Sequence, residues 1–249
     1  MTDSRSVSIW ISDPLRDPWV TEPENIGSVI FFLLQRNITM NYFTISQPAE
    51  ASFTEKKSEF IGYIAPVKTN DEAVEFINKI KGMHRKARHN VYAYILRHDS
   101  ISRYSDDGEP QGTAGMPVLD VLRKRGLTDV CVVVTRYFGG ILLGGGGLVR
   151  AYSHAASLAC DAAHIMDMRL CHKLRIVSDY GMYGKISYIL PSFETIAVSS
   201  DFGSDVTLEI LVLSEKLDSL TKELTEVTNG SAVVTDMGES YEDFSSVLK

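Results

Sequence analysis

The sequence predicts an α+β protein built as two consecutive units, and three observations predict it. From Glu55 to the C-terminus, stretches of period-two alternation are interleaved with stretches of helical periodicity. After about Met168 the elements run strand, helix, strand, strand, helix, strand, which is the split-βαβ, ferredoxin-like order. The chain has 249 residues, 44% of them hydrophobic and 23% charged, which suits one large domain or two smaller ones with their own cores. The expected boundaries are 40–167 and 168–249, with residues 1–39 as an N-terminal extension.

Residues 1–39 hold three prolines (Pro14, Pro18, Pro23) and both tryptophans, with no sustained periodicity. Met40 is expected to be the natural start, with the preceding residues read through from an upstream codon; the alternative is a genuine extension that packs locally, and the mass of the native protein decides between them. SEFIGYIAPV alternates as a strand. NDEAVEFINKIKG carries Ala73, Val74, Phe76, Ile77 and Ile80 near helical spacing, capped by Asn70 or Asp71. HNVYAYILR alternates as a strand. SDDGEPQGTAGMP (105–117) is dense in Gly, Pro and Asp and reads as a long ordered loop. VLDVLRKRG is a short helix ending at Gly126. DVCVVVTRY is a nearly continuous apolar run, expected to be a strand covered on both faces. GGLVRAYSHAASLACDAAH is an alanine-rich helix whose small residues allow close packing on a sheet.

In the second unit, CHKLRIVSD is a strand and YGMYGKISYIL a helix stopped by Pro191. TIAVSSDFG and SDVTLEILVL are strands. EKLDSLTKELTEVT is a helix ending at Asn229-Gly230, and AVVTDMG a final strand.

Charge and cysteine usage bound the function. The formal net charge is −7, but it is unevenly spread. From Asp201 onward there are eleven acids and three bases; from Lys81 to Arg150 there are eleven bases and six acids. The middle can face an anion while the tail keeps the protein soluble; the alternative is two differently charged solvated surfaces. Cys131, Cys160 and Cys171 are too few and too irregular for a disulfide framework, and none has zinc-ligand spacing. Cys131 and Cys160 are expected to be core thiols in a reducing, cytoplasmic setting. No apolar run approaches a membrane span; VIFFLL (29–34) is the longest early one, and without a basic flank or cleavage site it is a poor signal peptide.

Two stretches carry chemistry. In YSDDGEPQGTAGMP, Asp106, Asp107 and Glu109 place three carboxylates within four residues. They are candidates to hold Mg²⁺ or to raise one carboxyl pKa for acid/base work. The alternative is a turn in which Asp106 caps backbone amides and Gly108 takes positive φ. In TRYFGGILLGGGGLVRAY, six glycines fall within nine residues ahead of a helix. Free amides at a helix N-terminus, approached closely through glycine, form an anion site. Arg136 and Arg150 flank the loop as partners for phosphate. Tyr137, Phe138 and Tyr152 add flat surfaces for stacking a base. No Gly-Lys-Ser/Thr follows, so it is not a Walker loop. The alternative is glycine for tight helix–sheet packing, with these aromatics in the core. KIKGMHRKARHN (79–90) is the densest basic run, a solvated helix end or a phosphate-contacting rim; His89 is expected to be a hydrogen-bonded structural residue. No nucleophile signature is present.

HNVYAYILR, RYSDDGEPQGTAGMPVLDVL and VVVTRYFGGILLGGGGLVRAYSHAA closely resemble the signature region of the YigZ/IMPACT family, over about Glu55–His164. The βαββαβ tail resembles the second domain of bacterial YigZ-type members. The resemblance implies an N-terminal ribosomal-protein-like α/β sandwich, as in the fourth domain of elongation factor G, and a tail like that factor's fifth domain. It implies contact with nucleic acid or the ribosome rather than a reaction. Eukaryotic relatives regulate translation by binding the scaffold of the amino-acid-starvation kinase through a separate N-terminal module, which has no obvious equivalent here. By position, the family signature places the patch on Asp106, Asp107, Gly108, Glu109, Pro110, Gly112, Thr113, Ala114 and Gly115. It continues through Arg136, Tyr137, Phe138, Gly139, Gly140, Gly144, Gly147, Arg150 and Tyr152. One position departs from the family: Gly145 stands where a Thr is usual, which removes a hydroxyl from the loop.

These readings lead to a non-catalytic, cytoplasmic, translation-associated regulator that binds RNA or the ribosome, with no cofactor. Two alternatives stand beside it. One is a Mg²⁺-dependent phosphate-ester hydrolase using Asp106, Asp107 and Glu109. The other is a protein-interaction module using the sheet of the acidic second unit, with a partner in translation control.

Overall fold

The computed structural model describes residues 41–98 and 100–248; the expectations for residues 1–39 and for Met40 lie outside the described residues. The architecture is mixed α+β, with two five-stranded antiparallel sheets.

The first sheet has the order β2-β3-β6-β4-β5. Its strands are β2 (Ala49–Glu55), β3 (Ser58–Pro66), β4 (His89–Leu96), β5 (Ile101–Ser105) and β6 (Val130–Tyr137). Central β6 is buried along nearly its whole length, because both faces of the sheet are covered. Alternation along the strand decides which side chain goes where. Val130, Val132 and Val134 join Phe60, Ile64 and Val91 under α2 (Gly115–Lys124) and α3 (Gly145–Ala162). Cys131 and Val133 join Tyr63, Tyr94 and Leu96 under α1 (Asn70–Met83), which contributes Ala73, Ile77 and Ile80. Each buried Val, Leu, Ile or Phe among them contributes about 1.5–3 kcal/mol by leaving water. Burial pushes the Cys131 thiol far up and the Cys160 thiol to about 11, so both are inert core residues.

Local signals set the ends of these helices. The N-cap of α1 is Thr69, one residue before the expected cap; its side chain accepts from Glu72 N at 3.2 Å. Helix α2 closes with Leu127 N donating to Leu122 O, past Gly126 at φ +65°, a Schellman end. Gly62 lets α3 lie directly on the sheet, since a Cβ there would stand 2.6 Å from Ala155 O.

The β2–β3 hairpin turns on two residues, Lys56 and Lys57, at φ +45° and +63°. That left-handed pair is the conformation Asn-Gly adopts without strain. Lys56→Asn/Lys57→Gly is therefore expected to raise the unfolding free energy by about 1–2 kcal/mol, measured by urea denaturation.

The second sheet contains β7 (Ile165–Ser178), β8 (Ile196–Phe202), β9 (Val206–Leu213) and β10 (Val233–Asp243), in the order β10-β7-β9-β8. Helices α4 (Tyr180–Ile189) and α5 (Leu217–Val227) cover one face, where Ile186, Leu220 and Leu224 meet Leu174, Ile176, Leu208 and Ile210. Asp179 caps α4 by accepting from Met182 N at 3.0 Å. Pro191 does not end the chain's turn outright; it sits in a 3-10 turn, Leu190–Phe193, that continues from α4.

The fifth strand of this sheet comes from the start of the described chain. β1 (Tyr42–Ile45) pairs antiparallel with β7 from Met168 to Ile165. Met168 thus faces Tyr42 on one side and Asp243 on the other. The expected boundary after residue 167 falls inside β7. Arg97, at the end of β4, stacks 3.9 Å from the Tyr42 ring centroid and 5.3 Å from that of Tyr241, and holds Asp129. Strands β1, β2 and β5 are additions to the expected element order.

Candidate nucleic-acid interface

The 106–114 loop is held by its own acids, which diverge. Asp106 accepts from Gly112 N at 2.9 Å, Ala114 N at 3.1 Å and Gly115 N at 2.8 Å, capping α2. Asp107 takes Lys81 Nζ on one oxygen and Asn90 N on the other, both at 2.7 Å. Glu109, buried, accepts from Arg136 Nη1 and from Tyr152 OH with the same oxygen, both at 2.7 Å. Among the described residues no group of three or more His, Cys, Asp or Glu side chains is placed to hold a metal ion. The three carboxylates expected as a Mg²⁺ set each serve a different protein partner. Gly108, at φ +88°, lets the chain turn back over His89. His89 Nδ1 stands 2.9 Å from Asp107 O; a carbonyl only accepts, so Nδ1 carries the proton.

The glycine loop leaves the end of β6. Arg136 and Tyr137, expected in one patch, fall on opposite faces of the sheet because strand side chains alternate. Tyr137 goes to the α1 side, where its hydroxyl lies 2.9 Å from His84 Nδ1, and His84 Nε2 lies 2.7 Å from Tyr63 OH. Arg136 goes to the α3 side and is 6% exposed, between the rings of Phe60 and Phe138 at 5.4 and 5.5 Å. Its Nε has no hydrogen-bond partner. Tyr152 is fully buried, edge-on to Phe60, so it offers no surface to a base. Burial and its bond to Glu109 push its phenol far up. Tyr152 belongs to the same α3 stripe as Leu148, Ala151, Ala155 and Ala159, whereas Arg150 points away, exposed and with no ion pair among the described residues.

The glycines divide by role. Gly139 is packed: its N–H donates to Ser58 Oγ at 3.2 Å, and a Cβ there would overlap the Lys57 carbonyl. Gly147 is crowded by Leu143, with a Cβ only 2.9 Å from that side chain. Gly140 and Gly112 are exposed with open space around them. Gly144, at φ +72°, is the N-cap of α3 and brings no side chain to its free amides. Thr113 spends its hydroxyl on Pro110 O at 2.6 Å, and its methyl stands 3.8 Å from where a Gly145 Cβ would be.

Between these two loops lies a cavity of about 340 Å³. Arg88, His89, Glu109 and Arg136 bring charge and polarity to its wall; Pro110, Phe138, Leu142, Leu143 and Leu148 bring apolar surface; Gly144 and Gly145 bring the start of α3. Of the expected site residues, Glu109, Pro110, Arg136, Phe138 and Gly144 meet here. Arg88, His89, Leu142, Leu143, Gly145 and Leu148 are the additions. Arg88 was visible only as one member of the basic run, and Leu142 only as an apolar residue inside a glycine loop. Leu142 is 82% exposed and Phe138 51%, so the rim is apolar as well as basic.

The open face of the second sheet balances its own charge. The side chains of Lys173 and Arg175 hydrogen-bond Glu209 and hold its carboxyl down at about 2. Among the described residues no helix is long and apolar enough to cross a membrane.

Comparison with known proteins adds kinship to this geometry. The family model described as the Impact N-terminal domain matches residues 56–160, and that of a domain of unknown function, DUF1949, matches residues 176–231. The chain is 39% identical over 202 residues to the IMPACT family member YvyE of Bacillus subtilis, covering 81% of this chain and 93% of that protein. It is 31% identical over 179 residues to the IMPACT family member YigZ of Escherichia coli, covering 71% and 88%. A crystal structure of a hypothetical protein aligns over 80% of this chain and 98% of its own, with a TM-score of 0.50 and 28% identity.

Proposed function

The chain belongs to the IMPACT family, and from that premise we propose that it is a non-catalytic, cytoplasmic regulator associated with translation, binding RNA or the ribosome. The observation that carries this reading is the convergence at one cavity of the uncapped N-terminus of α3, Arg88, and the exposed Phe138 and Leu142. Amides and arginine suit phosphate; an exposed ring suits a base. Arg150, exposed on the second turn of α3 outside the cavity, adds a further base to the same helix, while Arg136 serves from within, its charge paired to Glu109.

The reading includes the domains. The order β10-β7-β9-β8 is the one a ferredoxin-like βαββαβ unit requires. We read the sheet β2-β3-β6-β4-β5 with α1, α2 and α3 as the sandwich resembling the fourth domain of elongation factor G, and the sheet β10-β7-β9-β8 with α4 and α5 as the ferredoxin-like unit. That pairing supports contact with RNA or the ribosome.

The test is co-sedimentation with RNA and ribosomes across a salt series, with Arg88→Ala/Arg150→Ala alongside. Both residues are exposed, so the fold survives their loss. Binding is expected to weaken steeply with salt. Each lost phosphate contact should flatten the log–log slope by about 0.7 for a single strand. Equal affinity and equal slope in the double variant would remove this surface from the interface. Capture of a partner that persists after ribonuclease treatment would shift the reading to a protein-interaction module.

A further inference from the structure

We propose that the cavity between the 106–114 loop and α3 is a receptor for a phosphate monoester: the terminal phosphate of a 5′-phosphorylated RNA, or of a free 5′-mononucleotide. This deepens the RNA reading above and rests on it only for the choice of RNA as one source.

The donors set the chemistry. Helix α3 is 18 residues long and begins with Gly144 at the N-cap and no side-chain cap, so the amides of its first turn have no protein acceptor. Independently, Arg136 lines the same cavity and is only 6% exposed; Nη1 pairs with Glu109, but its buried Nε has no partner. A buried guanidinium N–H left unpaired is costly, and an anion in the cavity removes that cost. Arg88 lies on the same wall, and His89 is turned so that Nδ1 serves Asp107 O and Nε2 is its free nitrogen. Glu109 is also on the wall, but its carboxylate is occupied by Arg136 and Tyr152.

The shape and the donor count favour an end over a chain. The cavity's volume of about 340 Å³ is at the small end for ligand pockets, enough for one nucleotide-sized group. Pro110, Leu143 and Leu148 wall it with apolar surface, which strengthens each charge-assisted bond inside. An internal phosphodiester must leave on both sides and offers two free oxygens with one charge. A monoester leaves on one side only and offers three acceptor oxygens with nearly two charges. First-turn amides and Arg88 favour the ligand with the greater charge and the third acceptor oxygen. The nucleoside then extends toward the exposed Phe138 and Leu142.

The experiment uses the full chain and one short single-stranded RNA made with either a 5′-phosphate or a 5′-hydroxyl, read by fluorescence anisotropy, with 5′-AMP as competitor. The 5′-phosphate is expected to tighten binding about tenfold, and 5′-AMP to erase that advantage. Gly145→Asp places a carboxylate over the free amides, where it favours the helix and repels the ligand; the backbone there tolerates a Cβ. It is expected to lose the discrimination between the two RNAs. Equal affinity of wild-type protein for both RNAs overturns the proposal and needs no variant; if that shared binding is salt-sensitive, the RNA reading stands. Discrimination retained in Gly145→Asp also overturns it. If neither RNA binds but 5′-AMP does, and Gly145→Asp abolishes that, the monoester site stands and the RNA reading falls.

Discussion

Glu109→Ala is expected to lower the unfolding free energy by about 3–5 kcal/mol, the cost of stranding a buried charge. Arg136 is 6% exposed, and its ion pair is with Glu109 at 2.7 Å. Removing that carboxylate leaves the guanidinium between Phe60 and Phe138 with no anion, and also strips Tyr152 OH of its acceptor. Urea denaturation of the single variant measures the loss. Glu109→Leu/Arg136→Met removes both charges and is expected to recover more than half of it, because a buried pair replaced by apolar groups is often nearly neutral. A loss below about 1 kcal/mol in the single variant would mean that the pair is solvated, contrary to this geometry.

Gly139→Ala is expected to cost about 2–3 kcal/mol, the upper part of the range for overpacking, and, on the function proposed above, to weaken RNA binding as well. A Cβ at 139 would overlap the Lys57 carbonyl in the β2–β3 turn, so either the hairpin or the glycine loop must move. Gly140→Ala is the control. Position 140 has open space and a φ of +84°, so only backbone strain of about 1 kcal/mol is incurred. Thermal and urea midpoints of the two variants, with anisotropy titrations, separate collision from strain. Equal losses would show that the loop is not braced on the hairpin.

Much of the fold was legible because its signals are local. The apolar run of β6 announced a strand covered on both faces, and helix α1 covers one side while α2 and α3 cover the other. The alternation of β9 separated Val206, Leu208 and Ile210 from Thr207 and Glu209. Strands β1, β2 and β5 were not legible. β1 has four residues and β5 has five, too short for a period to stand out. β2 is half-exposed, and its AEASFTE pattern carries little apolar contrast. Their pairing partners, not their own composition, make them strands.

The site divides in the same way. By itself, the sequence determined that a glycine-rich loop runs into a helix, that a loop dense in acids precedes another, and that bases gather between residues 81 and 150. Those are properties of neighbours along the chain. Only the tertiary structure decided how the charges are spent. Asp106 goes to helix amides, Asp107 to Lys81 and Asn90, and Glu109 to Arg136 and Tyr152. It sent Arg136 and Tyr137 to opposite faces, buried Tyr152, and brought Arg88 from another strand's approach to the mouth of α3. The physical reason is range. Periodicity and capping act over a few residues and are written in order along the chain. A carboxylate's partner is chosen by desolvation and distance in three dimensions, between residues 27 and 43 positions apart for Glu109.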